Sequence, residues 1–177
     1  MSSHAFKLKR IFGPPYAECN IDGSLIINPL LGIIYQISGE IDQLIWPKQT
    51  NKPQRLDGLW EKTCLELFIA KCGENAYYEF NFSPNGDWQC YQFSSYRNFS
   101  AKPELQNPPS INKYESTNEY IFNICVDIRP LSLQAPLDIG INAVLQQPTA
   151  ELNFYSLNHQ TEIPNFHRRE NFVMKIA

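Results

Sequence analysis

No CxxC pair occurs among the five cysteines, Cys19, Cys64, Cys72, Cys90 and Cys125, and their spacing is irregular. An odd, unpatterned set argues against a disulfide framework and offers zinc no paired ligands, so free buried thiols in a reducing cytoplasm are expected. No run approaches the ~18 apolar residues of a membrane helix. Met1 to Arg10 carries lysines and lacks the apolar centre of a secretory signal. A soluble, cytoplasmic chain with no membrane partner is therefore expected. A basic stripe is also missing: net charge is -3, which argues against a nucleic-acid partner. There is no phosphate loop, no nucleophile–base pair, and no G-x-S-x-G context around Ser83-Pro84, so acyl transfer has no support. No amphipathic helix of three turns, internal repeat or linker interrupts residues 1–177.

What is present is aromatic and alternating. Aromatic residues make up 13% of the chain, beside 43% hydrophobic and 19% charged. Those rings fill a core, line a ligand groove, or do both. Period-two alternation predicts strands over 21–27, 32–37, 64–70, 77–82, 88–93, 120–127, 138–145, 152–157 and 172–176. Asn28-Pro29 joins the first two, and Asn85-Gly86 signals a two-residue hairpin. Residues 41–57 and 98–110 read as loops, and His4 falls in a frayed end. Roughly nine short strands and no helix predict one all-β domain over 1–177, an antiparallel β-sandwich.

The segment from Leu59 to Arg97 concentrates the chemistry. Alternation turns Tyr77, Glu79 and Asn81 one way and Tyr78, Phe80 and Phe82 the other. Pairing of 64–70 with 77–82 brings Glu66 near Glu79, and after the hairpin Trp88 or Tyr91 returns to that face. Two carboxylates, an amide and a flat ring suit a sugar: the polar groups bind hydroxyls and a ring stacks on the C–H face. The same residues also fit a plain solvated outer face. As a pair of acids, Glu66 and Glu79 are of the type that glycosidases use. Trp60 sits at a loop-to-strand junction, Arg97 beside Tyr96, and His159 and His167 flank a loop, read as exposed or hydrogen-bonded loop histidines.

Leu59-Trp60 through Thr63-Cys64-x-Glu66-x-Phe68, Tyr78-x-Phe80-Asn81-Phe82-Ser83-Pro84 with Gly86 and Trp88, Tyr96-Arg97, and Asn165-Phe166-His167 with Asn171-Phe172 together resemble the DOMON-like superfamily, in the branch grouped with family 9 carbohydrate-binding modules. The resemblance spans nearly the whole chain. It implies a β-sandwich with a ligand site on or between the sheets, holding either a sugar or haem. For a sugar it points to Trp60, Glu66, Glu79, Asn81, Trp88 and Arg97. For haem it implies a methionine and a histidine as axial ligands, of which this chain offers Met174 with His159 or His167. The resulting expectation is a non-catalytic domain with no cofactor that binds a saccharide or sugar-containing metabolite. The alternatives are a haem-binding or redox module, a sugar-active hydrolase, and an interaction domain whose edge strand pairs with a partner. Oligomeric state is left open.

Overall fold

A computed structural model describes residues 2–15 and 17–177. Its strands are β1 (His4–Phe12), β2 (Cys19–Asn28), β3 (Leu30–Gly39), β4 (Cys64–Lys71), β5 (Tyr77–Phe82), β6 (Trp88–Ser95), β7 (Asn98–Ala101), β8 (Ser110–Ser116), β9 (Glu119–Val126), β10 (Leu137–Gln146), β11 (Leu152–Ser156) and β12 (Met174–Ile176). Every ladder between them is antiparallel.

Alternation dictates where the strands face. In β3, Ile33, Tyr35 and Ile37 are fully buried, with more exposed residues between them. β2, β3, β9 and β8 form one sheet with the first half of β1. The second sheet runs β7-β6-β5-β4-β10-β11, closed by the second half of β1, with β12 alongside β10. A bulge between Arg10 and Phe12 bends β1 as it passes from one sheet to the other. The inner faces meet in one core, with Ile21, Leu25, Tyr35 and Phe122 from the first sheet and Leu67, Phe80, Phe82 and Ile141 from the second. Burying each such side chain contributes about 1.5–3 kcal/mol. The arrangement is the antiparallel β-sandwich expected. The Tyr35 hydroxyl, wholly buried, donates to the Glu66 carbonyl at 2.8 Å. That bond ties the sheets together at the residue whose side chain matters most below.

Three strands are found where none is predicted. β1 occupies the supposed frayed end: His4 pairs with Leu25, while Phe6 and Leu8 enter the core between outward lysines. β7 and β8 are edge strands rich in Ser, Asn and Lys, so their alternation is faint. On β8, Lys113 pairs with Glu115 and lies 3.6 Å from the Tyr120 ring centroid, which shields an open edge with charge. The five cysteines are free, but only Cys64 and Cys90 are buried, and Cys72 and Cys125 are exposed. Among the described residues no helix is long and apolar enough to cross a membrane.

Candidate functional site

The outer face of the second sheet is as aromatic as its inner face. Register sets it out in rows. Glu66 pairs with Asn81 and Asn81 with Gln89; Phe68 pairs with Glu79 and Glu79 with Tyr91; Tyr77 pairs with Phe93. All of these side chains project away from the core between the sheets. On β10, Gly140 lies opposite Phe68. A Cβ there would come within 2.8 Å of the Phe172 ring, so the glycine lets Phe172 approach the sheet closely. Phe166 and Phe172 join Phe68, Tyr77 and Phe93 in a second apolar cluster. That cluster holds the segment after β11 against the sheet. Asp138 anchors its far end, accepting from Arg169 at 2.9 Å and Lys175 at 2.6 Å.

A cavity of about 560 Å³ remains between sheet and segment. Its floor is Glu66, Phe68, Glu79, Tyr91 and Phe93; Val144 and Phe154 close one side, and Phe166 and His167 another. Trp60 stands at the rim in a 3-10 turn (Leu59–Glu61), 42% exposed, its edge toward Tyr91 at 5.8 Å between centroids. The turn is held from below, because Asp57 accepts from Tyr91 at 2.8 Å, Gln89 at 3.0 Å and Lys102 at 2.6 Å.

The two glutamates dominate the electrostatics. Glu79 is 5% exposed and Glu66 3%. One Glu79 oxygen accepts from Asn81 Nδ2 at 2.7 Å, and the other lies 3.6 Å from His167 Nε2. Burial pushes Glu79 up to about 7, against the Asn81 hydrogen bond and the Arg97 charge. Glu66 is driven well above the ordinary carboxylate range, first by burial and then by the Glu79 charge. No hydrogen bond from the described residues reaches its carboxyl group. The Tyr77 oxygen accepts the Arg97 N–H at 3.1 Å and lies 2.8 Å from His167 Nδ1. With Tyr77 donating to Nδ1, the His167 proton sits on Nε2, toward Glu79. Burial, assisted by Arg97, lowers His167 to about 4, so the ring is neutral at pH 7.

Trp60, Glu66, Glu79 and Arg97 all line the cavity. Asn81 is fully buried beneath it and acts through Glu79. Trp88 departs from expectation. It pairs with Phe82, belongs to the inner core at 6% exposure, and lies under the Arg55 guanidinium at 5.1 Å. The cause is the turn. Ser83 N–H donates to Asp87 O, so the loop is Pro84-Asn85-Gly86, with Gly86 at φ 102°. That is one residue more than the predicted hairpin, and a one-residue slip exchanges the faces of the whole returning strand. Tyr91, not Trp88, returns to the Glu79 face. Sequence reasoning missed Phe68 and Phe93 as cavity residues, although they share parity with Glu66 and Tyr91. His167, read there as a loop histidine or a haem ligand, instead meets Tyr77, 90 positions away, at the edge of the cavity. The motif Asn165-Phe166-His167 was its one local signal.

Among the described residues no group of three or more His, Cys, Asp and Glu side chains could hold a metal ion. The sequence matches no protein-family profile and no curated protein. The fold does match solved structures. A "putative carbohydrate-binding protein" from Bacteroides uniformis ATCC 8492 superposes with a TM-score of 0.69 at 12% identity, over 97% of this chain and 84% of that one. A family 9 carbohydrate-binding module from Caldicellulosiruptor kristjanssonii, in complex with glucose, superposes with a TM-score of 0.54 at 10% identity, over 84% of this chain and 72% of that one. At such identities the likeness is one of fold.

Proposed function

We propose that the protein binds a saccharide or sugar-containing metabolite in this cavity and performs no chemistry on it. The observation that carries the reading is the unpaired, buried Glu66 carboxyl beside Glu79, set below the exposed Trp60 ring. Sugar hydroxyls would supply the donors that Glu66 lacks, Arg97 would serve as donor at the mouth, and Trp60 would cover a C–H face. The glucose bound to a module of the same fold supports this. Haem suits the donor set poorly. Neither His159 nor Met174 lines the cavity, His159 accepts the Asn165 N–H at 3.1 Å, and both His167 nitrogens face protein groups.

Calorimetric titration with a panel of mono- and oligosaccharides, with haem included, tests the proposal. Stacking on Trp60 is worth about 1–2 kcal/mol, so Trp60→Ala should weaken the bound sugar about tenfold at unchanged thermal midpoint. Undiminished affinity in Trp60→Ala would remove the ring from the account. A second reading rests on the same carboxyls, because paired acids with displaced proton affinities are the equipment of glycoside hydrolysis. Turnover of aryl glycosides that disappears in Glu66→Gln would establish that reading instead.

A further inference from the structure

Taking the saccharide reading as its basis, we propose that the cavity selects sugars bearing an ammonium group, an amino sugar over its neutral counterpart. Glu66 is the reason. It is 3% exposed, opens only into the cavity and receives no hydrogen bond from the described residues. Glu79 beside it has one oxygen engaged by Asn81 and the other 3.6 Å from a neutral histidine. Neither acid makes an ion pair with a lysine or arginine among the described residues, although the charge of Arg97 at the cavity mouth reaches Glu79. Arg97 makes no ion pair with either among the described residues; it is exposed and lies 5.9 Å from the Tyr96 ring centroid.

A neutral diol can donate to such carboxyls but leaves their charge uncompensated, so in its presence the pair keeps a proton. An ammonium group donates three N–H bonds and neutralises the charge as well. The Phe68, Tyr91 and Trp60 rings that line the cavity favour a cation further. The other titratable groups facing the pair are Glu61 from the 3-10 turn, Cys64, Tyr77 and Tyr91 from the second sheet, Tyr35 from the first, Arg97 from the β6–β7 turn and His167 from the C-terminal segment. Glu61 and Arg97 carry opposite charges at the mouth, and burial keeps the others neutral at pH 7. The proton that an arriving ammonium displaces therefore comes from Glu66 and Glu79 and passes to the buffer.

The test is calorimetry at pH 6.5 with D-glucosamine, D-glucose and N-acetyl-D-glucosamine, repeated in two buffers of different ionisation enthalpy. D-glucosamine should bind about tenfold more tightly than either other sugar and release a proton. Glu66→Gln should erase the difference between D-glucosamine and D-glucose. Equal affinity for the two sugars in the parent protein, or no proton release, overturns the ammonium preference and leaves the saccharide reading intact. Failure of every sugar in the wider panel overturns both.

Discussion

Replacing Glu66 by Gln should make the protein increasingly more stable than its parent as pH rises, although it removes the group on which binding depends. Gln has the shape of a protonated carboxyl but never ionises. In the unfolded chain Glu66 titrates near 4.5. In the fold, burial and the Glu79 charge keep it protonated well beyond that point. A folded pKa above the unfolded one confers stability that is complete below 4.5 and is lost as pH climbs toward the folded value. The loss runs at about 1.4 kcal/mol per pH unit. Glu66→Gln does not suffer it, so the variant should gain steadily on its parent as pH climbs above about 5. Urea unfolding followed by tryptophan fluorescence at pH 5, 6 and 7 reads the difference directly. If the gap between variant and parent stays flat with pH, or the parent gains, Glu66 is not a buried acid held protonated. A destabilising carboxyl at a ligand cavity is what a binding site looks like when function is favoured over stability.

Trp88→Ala should cost about 3–4 kcal/mol, because it empties core volume between the sheets and strips the surface under Arg55. Saccharide affinity per folded molecule should not change, and a fully stable variant would mean that Trp88 is not core. His167 predicts the opposite pH dependence to Glu66. Its folded pKa of about 4 lies below the ordinary imidazole value of 6.5, so the stability from its neutral ring is present above about pH 6.5 and is lost as pH falls through 4. Relative to the parent, His167→Gln should therefore gain about 3 kcal/mol between about pH 7 and pH 4, measured by urea midpoints. A pH-independent gap would place the ring in solvent.

The sandwich was legible because period-two alternation survives wherever one face of a strand is buried. In β4 and β5 the parity of Leu65, Leu67, Phe80 and Phe82 against Glu66, Glu79 and Asn81 identified both faces. β6 was harder. Trp88 and Cys90 face one side and Tyr91 and Phe93 the other, and both sides are apolar, so pattern alone did not distinguish core from cavity. Only the turn decides, and Pro84-Asn85-Gly86 closes one residue wider than the Asn-Gly signal suggests. A Cβ on Gly86 would also sit 2.8 Å from the Pro53 ring, a constraint that belongs to tertiary structure. β1 was hidden by the lysines on its solvent face, and β8 by Lys113 on its inner face beside Ile111. His167 reaches the site only through Phe166 and Phe172, packed on a sheet far from it in sequence, and no local period records such a contact.

The central claim is the place of binding, and a crystal structure with the tightest-binding sugar of the panel tests it most directly. The account predicts the sugar in the cavity above Phe68 and Tyr91, one C–H face covered by Trp60 and a donor group within hydrogen-bonding distance of the Glu66 carboxyl. A sugar lodged elsewhere on the sandwich, with Glu66 left unpaired, would contradict it.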